Sequence, residues 1–179
     1  GQIALKSGES KWITGPESRE KVHELRSWYD AVLIGRNTIE IDNPSLDIRH
    51  PQIKKENFLI VLDPQSYLLK KIKEGAKFRF LEARSKDKII FAVHQKNTEF
   101  NYTQISFSSL DSLVQEIWKL GLKSVFIEGG AQTYSSFLKE GLIDRLHLFI
   151  APSVIGSGNG LSWTNSFEIS ELSQKLIIS

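Results

Sequence analysis

Short apolar runs alternate along this chain with stretches whose apolar positions recur every three or four residues. Residues 31–34 (AVLI), 58–62 (FLIVL), 88–93 (KIIFAV), 124–127 (SVFI) and 146–151 (LHLFIA) carry apolar side chains at successive positions rather than at every second one. Such strands must be covered on both faces, as in a sheet between helical layers. Residues 77–82, 102–107 and 175–178 are further strand expectations. Between the runs, Thr14, Pro16 and Glu17 supply a cap, an early proline and an acidic side chain three residues on, the pattern of a capping box. The helix that follows has Val22, Leu25, Trp28 and Tyr29 along one face. Ser109 opens a second helix with Leu113, Ile117 and Leu120 as its stripe and Gly121 as its stop. A third starts near Gly130, presents Tyr134, Phe137 and Leu138, and ends at Gly141. This alternation predicts one α/β domain over residues 1–179, with a central, mostly parallel sheet. Residues 42–57 have no period and read as a long loop of the functional or disordered kind. Residues 153–165, with Gly156, Gly158 and Gly160, read as a flexible turn.

Composition narrows the chemistry. The 23 Lys and Arg nearly balance the 21 Asp and Glu, for a formal charge of +2, so a polyanion-coating surface is not the main theme. Cysteine is absent, which removes disulfides, thiolate nucleophiles, Cys-ligated zinc and iron–sulfur clusters, and fits a reducing compartment. The four histidines have no metal-site spacing. Methionine is also absent, and the start at Gly1 predicts a piece of a longer chain.

Three stretches carry candidate chemistry. In residues 124–133 a buried strand runs through Glu128 into Gly129 and Gly130 and then a helix. The unpaired amides of a helix start suit a phosphate, and glycines let it approach the backbone. The same residues equally suit a tight turn with Glu128 solvated. Residues 33–44 repeat the design: a strand ends at Gly35, and a short polar turn leads to Thr38 and Asp42. Asp42 and Asp47 read either as metal ligands or as solvated loop carboxylates, and Arg26, Arg36 and Arg49 either as phosphate forks or as surface ion pairs. Trp12 is a packing anchor or a ring for stacking on a heterocycle.

Together these stretches resemble the reductase domain of the bifunctional riboflavin-biosynthesis deaminase/reductase. The matching residues are 8–15 (GESKWITG), Leu25-Arg26, 30–35 (DAVLIG) through Thr38, Asp42, Pro44, Leu46 and Arg49, then 126–130 (FIEGG), 141–144 (GLID) and 150–156 (IAPSVIG). The resemblance implies a three-layer, dihydrofolate-reductase-like sandwich and a cytoplasmic enzyme that uses NADPH to reduce the ribose of 5-amino-6-(5-phosphoribosylamino)uracil. It implies substrate contacts at Ser10, Arg26, Leu46, Arg49 and Glu128. It implies cofactor contacts at Trp12, Thr38, Asp42, Gly130, Ala131, Gln132, Thr133, Tyr134, Ser135 and Ser136. Asp42 and Glu128 are the candidate general acids, and no metal is expected. An N-terminal deaminase domain and a homodimer are the implied partners.

The chain departs from the family pattern in three places. It begins at what resembles the Gly of a Ser-x-Asp-Gly motif, Asn43 stands where a second Asp commonly follows Asp42, and Pro64 occupies a cofactor position often held by a hydroxyl residue. Two alternative functions stay open on sequence: another pteridine or pyrimidine reductase on the same fold, or a nucleotide-binding module without turnover.

Overall fold

In the computed structural model of the chain, the residues described are 2–7, 9–10, 13–153, 160–164 and 171. In chain order the elements are β1 (Gln2–Leu5), α1 (Pro16–Trp28), β2 (Ala31–Gly35), α2 (Arg36–Asp42), β3 (Phe58–Leu62), α3 (Tyr67–Lys73), α4 (Arg79–Glu82), β4 (Ile89–Val93), β5 (Thr103–Ser106), α5 (Leu110–Lys119), β6 (Val125–Glu128), α6 (Ala131–Lys139) and β7 (Gly160–Ser162). They fall into two compact units, residues 14–130 and residues 1–13 with 131–179.

The first unit is an α/β fold around a five-stranded sheet in the order β5-β4-β3-β2-β6, with every pair parallel. The continuous apolar runs explain it. Val32, Ile34, Leu59, Val61, Ile89, Phe91 and Val93 form one core cluster with Ile39 of α2, Leu68 and Leu69 of α3 and Phe80 of α4. The alternate residues Ala31, Leu33, Ile60, Ile90 and Ala92 point the other way and are also buried, as are Leu25 of α1 and Leu113 and Ile117 of α5. Burying both faces favours parallel strands, most of them returning through a helix here, with β4 and β5 joined by the irregular residues 94–102.

Local polar groups fix the joints. Asp30, just before β2, accepts the backbone N–H groups of Lys123 and Ser124 at 2.8 and 3.0 Å, which ties the start of β2 to the approach to β6. Asp63, buried after β3, accepts from the N–H groups of Tyr67, Leu68 and Leu69 and so satisfies the start of α3. Ser109 and Ser112 form the capping box of α5.

The second unit contains α6 and the antiparallel pair β1–β7. Neither of these strands is legible in the apolar pattern, and β7 lies inside the expected flexible turn.

Five further expectations are corrected. Residues 146–151 are irregular, not a strand: Leu148 and Ile150 are 57% and 82% exposed, so the run does not bury its apolar side chains. Within residues 77–82 the structure forms α4 instead of a strand, held by the single fully buried Phe80. The cap of α1 is Gly15 rather than Thr14, and no side chain caps it, because Pro16 already sets the first helical φ and has no N–H to satisfy. The polar turn after Gly35 is the helix α2, anchored on Ile39. Leu120 is exposed beyond the last turn of α5. The strand expected at 175–178, Gly156, Gly158 and Trp12 lie outside the described residues.

Candidate functional site

Parallel sheets offer ligands the crevice at the carboxyl ends of their strands. In the first unit, β2 and β6 are neighbours whose register pairs Ile34 with Glu128, so Glu128 and Gly35 leave the sheet side by side. Glu128 is met there by Arg26 of α1. Arg26 Nε donates to Glu128 Oε1 at 2.5 Å and Nη2 donates to Oε2 at 2.8 Å, a parallel fork between side chains only 10% and 16% exposed.

The third nitrogen of that guanidinium reaches the long loop. Arg26 Nη1 donates to the carbonyl oxygen of Asp47 at 2.8 Å. His23, one turn earlier on α1, has its Nδ1 3.1 Å from the same carbonyl and 3.1 Å from the backbone N of Arg49, which donates to it. Burial, helped by the charges of Arg26 and Arg49, lowers the His23 pKa below its ordinary value. The Asp47 carboxylate accepts from Ser45 Oγ at 2.5 Å and pairs with Arg49 Nε at 3.4 Å. Burial alone would raise its pKa, but the Ser45 hydrogen bond and the two arginines outweigh that and hold it low. Arg49 keeps a 61% exposed side chain, so its guanidinium faces solvent beside a pre-arranged loop.

Next to this cluster, Thr38 in the first turn of α2 accepts from the backbone N–H of Gly130 at 3.0 Å. Gly129 between them has φ +127°, and a Cβ added there would lie 3.2 Å from Thr38 Oγ1. A Cβ at Gly130 would meet nothing closer than 3.6 Å. The residue that must be glycine in this turn is therefore Gly129, whose conformation only glycine adopts readily.

The structure brings together Arg26, Arg49 and Glu128, and separately Thr38 with Gly130. It treats the other expected residues differently. Asp42 ends α2 with an exposed side chain and, among the described residues, no ion pair or hydrogen bond to its carboxylate. Leu46 is 2% exposed and belongs to the core cluster, with φ +57°, so only its backbone is presented to the loop. Ser10 is exposed in the second unit, and Ala131, Gln132, Thr133, Tyr134, Ser135 and Ser136 form α6 there, with Ser135 buried. Arg36 leans toward Glu40 at 3.6 Å and over the Tyr67 ring.

Sequence reasoning missed His23, Asn57 and Arg84. His23 had a signal, being three residues before Arg26 and hence on the same helical face. Asn57 donates through Nδ2 to the Arg26 carbonyl at 3.0 Å, and Arg84 donates to Asn57 and Leu46; isolated polar residues in loops carry no periodic signal.

Comparison with known proteins identifies the family and the fold. The family model described as "RibD C-terminal domain" matches residues 1–177. The "Riboflavin biosynthesis protein RibD" of Aquifex aeolicus is 34% identical over 162 residues, covering 88% of this chain and 45% of that protein. The protein of the same name from Bacillus amyloliquefaciens is 31% identical, covering 87% and 43%. The chain thus spans less than half the length of these curated relatives. Among solved structures, Acinetobacter baumannii RibD superimposes with a TM-score of 0.79 at 26% identity, over 99% of this chain and 49% of that one. A Thermotoga maritima protein described as a diaminohydroxyphosphoribosylaminopyrimidine deaminase/5-amino-6-(5-phosphoribosylamino)uracil reductase gives 0.74 at 28% identity, over 98% and 47%.

Proposed function

The chain belongs to the RibD C-terminal domain family, and from that premise we propose that it is the NADPH-dependent reductase of 5-amino-6-(5-phosphoribosylamino)uracil, working in the cytoplasm. The observation that carries the reading is the Arg26–Glu128 fork at the carboxyl edge of the parallel sheet, joined through Asp47 to the solvent-facing guanidinium of Arg49. A phosphorylated sugar needs a cation in solvent to capture its phosphate and fixed polar groups behind it to orient the hydroxyls. Arg49 suits the first task and the Arg26–Glu128 pair the second.

The fit of a dinucleotide rests on the turn after β6. Gly129 leaves room for Thr38 to close against the turn, and Thr38 accepts the Gly130 N–H, so the backbone at the end of β6 is fixed in place. Thr38 and Gly130 would hold the cofactor there, and Asp42 enters as a cofactor contact on the resemblance. Ser10, Trp12 and residues 131–136 enter the proposal on the resemblance alone. When bound, the cofactor supplies hydride from the nicotinamide C4 to C1 of the ring-opened ribose imine.

One proton must also be added at the imine nitrogen. Both oxygens of Glu128 already accept N–H donors from Arg26, so Glu128 orients rather than delivers. The proton is then drawn from solvent, with Asp42, whose exposed carboxylate makes no ion pair or hydrogen bond among the described residues, as the remaining candidate to relay it.

The length of the relatives and the deaminase activity in the description of the Thermotoga maritima protein support a deaminase partner domain in the whole protein. This chain, without cysteine, has no Cys-ligated zinc site with which to perform that step. The test is NADPH oxidation by the purified protein with and without the deaminated phosphoribosyl substrate. Oxidation only in its presence supports the reading, and its absence removes it.

A further inference from the structure

The most deeply placed cation near the site is Arg84, 6% exposed, just after α4. Its Nη1 donates to both the carbonyl oxygen and Oδ1 of Asn57, the latter at 2.9 Å, and its Nη2 donates to the carbonyl oxygen of Leu46 at 2.7 Å. Its Nε is buried without a hydrogen-bond partner. Among the described residues no carboxylate forms an ion pair with it: Glu56, the acidic group nearest in sequence to Asn57, is engaged by the backbone N–H and hydroxyl of Ser85. Burial accordingly pushes the Arg84 pKa below the usual arginine range. A buried guanidinium without a direct counter-ion is costly to keep, and a hydrophobic side chain would fill the space without that penalty.

What the charge accomplishes lies in its acceptors. Leu46 and Asn57 flank the part of the irregular stretch that carries Asp47 and Arg49, and Leu46 holds a left-handed φ of +57° that a leucine adopts only under constraint. One planar group clamps both flanks. Each clamped residue then leads to Arg26. Asn57 Nδ2 donates to the Arg26 carbonyl at 3.0 Å, and the residue after Leu46 presents the carbonyl that accepts from Arg26 Nη1 at 2.8 Å. Arg26 is therefore gripped at its backbone and at its side chain by two groups whose positions Arg84 fixes.

We infer that Arg84 is a positioning residue for the reductase site: it sets the loop that presents Arg49 and aligns Arg26 on Glu128, without itself touching substrate. This rests on the proposed reductase function. The class of ligand it serves is the phosphorylated sugar held by that loop.

All of its hydrogen bonds come from the two terminal nitrogens, so a small guanidinium ion offers the same donors. The experiment compares the full-length protein with its Arg84→Ala and Arg84→Lys variants for kcat, KM and thermal midpoint, each with and without methylguanidinium. Ammonium of equal ionic strength is the control. The expected result is a rise of about tenfold or more in KM for the phosphoribosyl substrate in Arg84→Ala, with kcat changed less. Arg84→Lys, which cannot bridge both acceptors, should behave similarly, and methylguanidinium but not ammonium should restore KM in Arg84→Ala. If Arg84→Ala does not fold, Arg84→Lys carries the KM comparison. A fall in thermal midpoint with KM unchanged would show that Arg84 only supports the core and would overturn the inference. Wild-type protein that oxidises no NADPH would instead defeat the reductase reading. In that event, Arg49-containing peptides exchanging amide hydrogens equally fast in wild type and Arg84→Lys would defeat the positioning claim on its own terms.

Discussion

Arg26 and Glu128 lie 102 residues apart in sequence and meet through two parallel hydrogen bonds, of 2.5 and 2.8 Å, at the carboxyl edge of the sheet. Each was expected from the resemblance to touch substrate, and the structure shows that each first touches the other. Under the proposed reading a phosphate is met by a cation that is not already forked, the role proposed for the exposed Arg49.

Glu128→Gln keeps the shape of the pair but removes the charge that Arg26 faces. With both side chains largely buried, the variant should lose about 2–3 kcal/mol of stability, read as a lower midpoint in urea unfolding. A variant as stable as wild type would mean that the fork is not a stabilising contact.

Arg49→Ala should weaken the phosphorylated substrate by about 1.5–3 kcal/mol, roughly ten- to a hundredfold, and leave a dephosphorylated analogue unaffected. Calorimetric titration with both ligands separates the cases. Equal losses would make Arg49 a brace for the loop through Asp47, and no loss for either would take it out of the site.

The glycines of the turn should not be equivalent. Gly129→Ala forces a side chain into positive φ and against Thr38 Oγ1, at a cost of about 1–2 kcal/mol, and should weaken NADPH binding by disturbing Gly130. Gly130→Ala has room and should keep its thermal midpoint. Thermal unfolding and NADPH fluorescence titration of the two variants check both statements, and equal behaviour would contradict them.

His23 ties stability to pH. Because its pKa is lowered in the fold, the unfolded chain binds a proton at a higher pH than the folded protein does. Stability from this group is complete above its ordinary value of 6.5 and is lost as pH falls from there toward the lower folded value. The carboxylates with lowered pKa, Asp30, Asp47, Glu56, Glu99 and Glu116, act at more acid pH. Urea midpoints at about pH 7.5 and about pH 5.5 should therefore fall for wild type and change less for His23→Gln. A parallel fall in both would assign the loss elsewhere.

The parts of this fold that the sequence announces are those in which burial acts on neighbouring residues. FLIVL and IIFAV are apolar at every position because the sheet is covered twice, so β3 and β4 are visible without any structure. The helix α2 was hidden because a single residue, Ile39, anchors it, and one apolar residue has no period. Residues 146–151 misled in the opposite sense, since apolar character without burial makes no strand. The site divides the same way. Glu128 and the two glycines follow a strand and stand out. His23, Asn57 and Arg84 act through contacts made across 26 to 38 residues, to the Arg49 amide, the Arg26 carbonyl and the Leu46 carbonyl, and nothing local marks them.

The central claim is hydride transfer to a phosphorylated ribose. It is tested most directly by incubating the protein with NADPH deuterated at the transferring C4 position and 5-amino-6-(5-phosphoribosylamino)uracil, then locating the label by mass spectrometry and NMR. The account predicts stoichiometric NADPH oxidation and deuterium at C1 of a ribityl chain. NADPH left unoxidised, or label in the pyrimidine ring with the ribose still closed, would contradict it.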